Sequence, residues 1–377
     1  MQSVFFISLM NGAAWGGSEE LWFRAALHAA GSGVRTACAV YDWPEKAGRI
    51  EQLRHAGCHV YLLPNDGRLK RNLAEKIRYR ISRWRVKGTV AALPLAEYDM
   101  VVVNQGGFEI YTSTWKHLYR LLNRFAVTFH NYDTREVFSA AKAAILEQWI
   151  DRACCLFFAS DRIRAMLEEK LSIPVTNAQT LINPVTINVP REPLPSADGT
   201  RPVLVMLAAL DVSRKAQDEL VRALATAKWR GRPWELHLFG EGNDRAALEQ
   251  LVAENGLQER IFLEGHTDDV LQVLSGAHLV LQVTHRDAMP LAVMEAMAAA
   301  RPVVVSNVGD MPLWVHDGLN GWVSGGSTAR EIDAVLERAW QQQQAWPQMG
   351  AASFAIFREH YPENPAGYFL HQLQSCD

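Results

Sequence analysis

The chain reads as an α/β protein built from two doubly wound domains with parallel sheets. Short β-rich runs alternate with helical patterns through both halves, the signature of strand–helix–strand units. A proline-rich stretch without apolar periodicity, "INVPREPLPSADGTRP" at 187–202, separates the halves. The length of 377 residues suits two domains at about 100 to 200 residues each. The expected division is a first domain at 1–188, a linker at 189–201, a second domain at 202–350 and a helical segment at 351–377 that crosses back to the first.

The first domain opens with "SVFFISL". Its flanks lack a basic region and its apolar run is only about seven residues, so it reads as a strand and not as a signal peptide. The helix "SEELWFRAALHAAG" follows, with Gly31 as its expected cap. "VRTACAVY", "CHVYLL", "DMVVVN", "FAVTFH" and "CCLFFAS" supply five further strands. In the second domain "PVLVMLAAL", "WELHLFG", "RIFLEG", "HLVLQVT" and "RPVVVSN" repeat the pattern, each followed by a turn and a helix. In such sheets ligands bind beyond the carboxyl ends of the strands.

Hydrophobic content of 49% with 21% charged residues is that of a soluble globular protein, and a net charge of -3 gives no bias toward nucleic acid. No stretch reaches the ~20 apolar residues of a membrane span. The five cysteines lack metal or disulfide-framework spacing, which points to a reducing cytosol. Charge is unevenly placed, because residues 68–87 hold nine Lys or Arg against Glu75 alone. Projected as a helix, Leu69, Leu73, Ile77, Ile81 and Trp84 form an apolar stripe opposite most of the cations, with Arg80 interrupting it. Such a helix suits an anionic membrane surface, or docks on its own domain, or meets an anionic acceptor. Nucleic acid is disfavoured, since the aromatics here are only Tyr79 and Trp84.

Three loops carry candidate chemistry. The first strand–helix turn contains Gly12, Gly16 and Gly17, which let a phosphate approach a helix N-terminus or simply form a tight turn. Arg214 and Lys215 follow a strand and precede a helix, where two cations suit a diphosphate or stand in solvent. In "HRDAMPLAVMEAMAAARPVVVS" Pro290 is expected at the first helical position. Glu295 sits in an otherwise apolar helix, about two turns beyond Asp287. A buried carboxylate needs a partner. Vicinal hydroxyls of a ribose or hexose fit that need, as does an arginine from a neighbouring element. Trp15 either lines an acceptor pocket or packs on the interdomain surface.

Taken in order, these pieces resemble the retaining glycosyltransferases of family 4, whose GT-B architecture has two facing Rossmann-like domains and an interdomain cleft. "THRDAMPLAVMEAMAAARPVVVSNVGDMPLWVHDGLNGWV" is similar to the family's E-x7-E region with its following strand and turn. "NGAAWGGSEE", "VTFHN", "LINPV" and "LFGEGNDR" resemble its N-terminal glycine loop, strand-end histidine, pre-linker turn and G-x-G turn.

The resemblance implies a sugar transferred from a nucleotide donor, such as a UDP- or GDP-sugar, to a saccharide or lipid-linked acceptor in cell-surface polysaccharide or glycolipid assembly. It implies a cytoplasmic protein, peripheral on the inner membrane face. Glu295 would hold the ribose. Asp287 with Ala288, Met289, Pro290 and Leu291 would meet the sugar and phosphates. Arg214 and Lys215 would neutralise the diphosphate, with Gly16 and Gly17 approaching it from the other domain. His130 would sit beside the donor sugar, Gly240 in the G-x-G turn, and His266 and Thr267 near the base. No cofactor or metal is expected, since cations and N–H groups can stabilise the leaving group. This sequence departs from the family pattern at Asp287, one methylene shorter than the usual glutamate, at Ala209, where many members carry arginine, and at Leu313, where glutamate is usual. Those departures leave two other readings, a GT-B sugar-nucleotide epimerase and a non-catalytic GT-B protein that binds a nucleotide or a partner.

Overall fold

The computed structural model describes residues 1–11, 14–65, 81, 84–112, 114–131, 137–199 and 201–376. Gly12 and most of the basic segment 68–87 therefore lie outside the described residues. Contacts divide the chain into two compact units, one of Met1–Pro184 with Pro362–Asp377 and one of Val185–Tyr361.

The first unit holds β1 (Ser3–Ser8), β2 (Arg35–Tyr41), β3 (His59–Leu63), β4 (Met100–Gln105), β5 (Phe125–Phe129), β6 (Cys155–Phe158) and β7 (Ala178–Thr180). Their order is β3-β2-β1-β4-β5-β6-β7 and every pairing is parallel. Every residue of β1 and β4 is buried, as in sheets covered by helices on both faces. The strand order reverses between β1 and β4, so their carboxyl ends flank the crevice where such sheets bind ligands. The helix Gly17–Gly31 runs on through the glycine expected to cap it. The left-handed residue is Gly33 at φ 80°, and Ser32 and Gly33 donate back to carbonyls of the last turn. The final helix Pro365–Gln374 belongs to this unit, with Phe369 edge-on to Phe157 at 4.9 Å.

The second unit holds β8 (Val203–Leu207), β9 (Glu235–Phe239), β10 (Ile261–Gly265), β11 (Leu279–Gln282), β12 (Val303–Ser306) and β13 (Gly321–Ser324), all parallel in the order β10-β9-β8-β11-β12-β13. One face of the sheet packs Trp229, Trp234, Leu236, Leu281 and Trp322 against the helix Ala329–Gln341. A reciprocal Thr328–Glu331 capping box starts that helix. The two chain crossings are tied together inside this unit, where the Val185 N–H donates to Tyr361 Oη at 2.7 Å. The sequence placed a linker at 189–201 and a terminal segment from 351. The contacts divide the chain at 184/185 and 361/362, because residues 185–199 and the helix Trp346–His360 pack on the second unit. The short strands β7 and β13 were not anticipated, and "GLNGWV" read as part of a turn. Three or four residues carry too little periodicity to register.

Candidate functional site

In the second unit the loops at the carboxyl ends of β8, β11 and β12 are laced together. After β8 comes the short helix Val212–Lys215, whose Arg214 carbonyl accepts from Thr284 Oγ1 (2.6 Å) and His285 N (2.8 Å). That clamp brings Lys215 to Asp287: Nζ donates to Oδ2, while Asp287 Oδ1 accepts from Ala288 N at 3.0 Å. Lys215 is 8% exposed, so its ammonium depends on this partner. Arg214 reaches outward, its side chain 42% exposed and its Nε 3.8 Å from Asp211 Oδ2. Gly309, after β12, crosses over Ala288 with φ 56°. A Cβ there would lie 1.8 Å from the Ala288 carbonyl, so only glycine fits. Asp310 N then donates to that same carbonyl at 2.8 Å.

Pro290 occupies the N-cap and not the first helical position, one residue earlier than expected, and the helix runs Leu291–Ala298. Every residue from Ala292 to Ala298 is buried, Glu295 included at 4% exposure. Its Oε1 accepts from Thr186 N at 2.8 Å and Thr186 Oγ1 at 2.6 Å. The alternative partner considered from sequence, an arginine, does not pair with Glu295 among the described residues. Two donors on one oxygen leave Oε2 outside both bonds. Met289 and Leu291 flank this turn and helix start, half-buried.

A separate hollow of about 360 Å³ lies at the ends of β8, β9 and β10, lined by Ala208, Ala209, Gly240, Glu241, His266 and Thr267. Gly240 has φ 142°, and a Cβ there would strike the Ala208 carbonyl at 2.0 Å. Four positions singled out from three distant motifs, Ala209, Gly240, His266 and Thr267, thus share one concavity. The His266 side chain is 68% exposed beside Asp268.

The remaining sequence candidates belong to the first unit. Gly16 is the N-cap of Gly17–Gly31 in extended backbone, and a Cβ on it would meet nothing within 4 Å. Glycine at 16 therefore leaves open space and answers no steric demand of the fold. Trp15 packs edge-on to Phe23 (5.3 Å), donates through Nε1 to Glu20 Oε1 (2.7 Å) and carries the Arg49 guanidinium over its ring (4.1 Å). These contacts fix Trp15 on its own unit. His130 follows β5, 7% exposed, with Nε2 2.9 Å from Asn104 Oδ1 and Nδ1 buried without a partner among the described residues. Burial pushes its pKa down to about 3, so the ring is neutral.

Residues 201–341 match the family model described as Glycosyl transferases group 1. Most of the second unit is thus similar to the group 1 glycosyltransferases. Curated relatives show the same similarity. Alpha-D-kanosaminyltransferase of Streptomyces kanamyceticus is 22% identical over 51% of this chain and 54% of its own. D-inositol 3-phosphate glycosyltransferase of Mycobacterium sp. (strain KMS) is 37% identical over 26% of this chain and 24% of its own. The chain thus spans about half or less of the length of the relatives it matches. The solved structure of Anabaena HepE in complex with UDP and glucose matches at a TM-score of 0.73 with 15% identity, over 100% of both chains. At that identity the likeness concerns the fold, which is GT-B with a Rossmann-like sheet in each unit.

Sequence reasoning missed Glu19, Lys46 and Asn104, which form a buried network beneath His130. Glu19 lies inside the quoted "GGSEE" and was readable as a buried acidic residue of a glycine loop. Lys46 and Asn104 stand 27 and 85 positions from Glu19 and carry no local signal. Among the described residues no cluster of His, Cys, Asp or Glu is suited to a metal ion, and no helix is long and apolar enough to cross a membrane.

Proposed function

We propose that this protein is a retaining glycosyltransferase that moves a sugar from a nucleotide donor to a saccharide or lipid-linked acceptor. The observation that carries the reading is the second unit's carboxyl edge, where the Lys215–Asp287 pair, the Arg214 fork and the 209/240/266 hollow collect on neighbouring strand ends. Support also comes from the UDP and glucose held by the HepE structure. In this reading the base enters the hollow beside Gly240, His266 and Thr267. Glu295 takes a ribose hydroxyl through Oε2. Lys215 and Arg214, with the N–H groups of Met289 and Leu291, stabilise the departing diphosphate without a metal. Because Ala209 replaces an arginine, the guanidinium charge falls to Arg214.

The C1–O bond to the diphosphate breaks through an oxocarbenium-like state. The acceptor hydroxyl forms the new C1–O bond on the face the diphosphate leaves, and its proton passes to a departing phosphate oxygen. Configuration is thereby retained without a separate general base. Asp287, already engaged by Lys215, acts chiefly by aiming that lysine.

The membrane-facing part of the proposal rests on Ile81 and Trp84, 51% and 78% exposed beside the cations Arg85 and Lys87. Thermal-shift measurements with UDP-, GDP- and other nucleotide sugars, together with slow donor hydrolysis, test the catalytic reading. Stabilisation by one nucleotide class with hydrolysis is expected; no shift with any nucleotide refutes it. Stabilisation without turnover for any acceptor instead supports a nucleotide-binding, non-catalytic protein, which the alanine at 209 favours. Sedimentation with phosphatidylglycerol vesicles, and not with phosphatidylcholine, tests the membrane contact.

A further inference from the structure

The carboxyl edge of the first sheet carries a buried charge that ends on His130. Lys46 Nζ, 1% exposed, donates to Glu19 Oε2 at 3.1 Å. Glu19, 0% exposed in the first turn of its helix, takes Ser8 Oγ (2.6 Å) and Asn104 Nδ2 (3.1 Å) on Oε1. A carboxylate paired with an ammonium only accepts, so the Asn104 amide must turn its NH2 toward Glu19 and its Oδ1 away. That Oδ1 meets Thr128 Oγ1 at 2.8 Å and His130 Nε2 at 2.9 Å. An amide oxygen cannot donate, so Nε2 must carry the imidazole proton. Nδ1 is then the bare nitrogen. It is also the atom buried without a partner among the described residues, and a bare lone pair tolerates that far better than an N–H.

We infer that Lys46, Glu19 and Asn104 are positioning residues that hold His130 in one neutral tautomer, Nε2 protonated and Nδ1 bare, so that it meets a donor-sugar hydroxyl as an acceptor and never as an acid. The clause about the sugar rests on the proposed function; the tautomer does not. The relay spans the ends of β1, β4 and β5, at the reversal of strand order. Nδ1 is its one buried polar atom left without a partner among the described residues.

Imidazole 15N resonances of the full chain, labelled at histidine, read the tautomer directly, with His130→Gln assigning the signal. The wild type should show a protonated Nε2 and a bare Nδ1 throughout the neutral range. Glu19→Gln alone strands a buried ammonium and risks unfolding, so the test uses Glu19→Gln with Lys46→Met, and separately Asn104→Leu. In the first, the amide introduced at position 19 can donate as well as accept and frees the Asn104 amide to flip; in the second the anchor is gone. Both should mix in the tautomer with Nδ1 protonated, with native circular dichroism. A protonated Nδ1 in the wild type, or a single unchanged tautomer in both folded variants, overturns the relay. Titration with UDP and UDP-glucose separates the two levels. Binding of UDP-glucose that shifts the Nδ1 resonance, where UDP does not, supports the sugar contact, and binding that leaves it unmoved overturns that contact. Failure of both nucleotides to bind counts against the transferase reading while the tautomer data still decide the relay.

Discussion

Asp287→Asn removes one charge from a pair whose side chains are 10% and 18% exposed. Removing one partner of a fully buried pair costs about 3 to 5 kcal/mol, whereas an exposed pair is worth about 0 to 1 kcal/mol. Partial exposure and the amide oxygen that remains place the loss between these, at about 1 to 3 kcal/mol. For a unit of this size each kcal/mol lowers the melting temperature by about 2 to 4 °C, so the second unit should melt roughly 2 to 12 °C lower. Nucleotide affinity should fall as well. An asparagine no longer holds the Lys215 ammonium in place, so UDP should bind more weakly than to the wild type. Calorimetric titration of Asp287→Asn, Lys215→Met and the double variant measures both effects in one cycle. A coupling beyond about 0.5 kcal/mol in stability and in UDP affinity is expected, since residues in contact are not additive. Additive losses within that margin, with UDP affinity unchanged by Asp287→Asn, refute the pairing and the aiming role derived from it.

Glu295→Gln should weaken nucleotide binding by roughly 1 to 3 kcal/mol, the scale of one charged hydrogen bond. Melting should change little, because a glutamine oxygen still accepts from Thr186; a lower melting temperature with intact affinity would assign Glu295 a purely structural role. Gly309→Ala should destabilise the second unit by at least about 1 to 3 kcal/mol, given φ 56° and the Ala288 carbonyl. Gly16→Ala, with nothing within 4 Å, should leave urea unfolding unchanged, so any affinity it loses reports a ligand in that space. His130 has its folded pKa depressed from 6.5 to about 3 by burial, so below about 6.5 the unfolded chain binds a proton the native one refuses. Its contribution is fully present above that pH and is lost on acidification at up to about 1.4 kcal/mol per pH unit. Urea unfolding between about pH 7 and pH 5 should show a wild-type slope that His130→Gln reduces.

Both sheets were legible in outline because a parallel strand buried on two faces must be apolar throughout, and a turn residue must follow it. Eleven of the strands follow from such runs, whereas the short edge strands β7 and β13 do not. The second unit's candidate loops were legible as well, since strand-to-helix turns in parallel sheets gather at one edge whatever their separation in sequence. Partnership was not legible. Glu295 stood out as a charge in an apolar helix, but nothing nearby in the chain points to Thr186 across 109 positions.

The sequence by itself determined the two α/β units, the places where their loops emerge and the residue types offered there, because these depend on local periodicity and turn chemistry. Only the tertiary structure decided that Asp287 is bound to Lys215, that Trp15 is held by Glu20 and Arg49, and that a buried Lys46–Glu19–Asn104 chain reaches His130. The physical reason is desolvation. A charge or amide taken out of water must find a partner wherever the fold supplies one, and that partner is chosen by the meeting of strand ends, not by spacing along the chain.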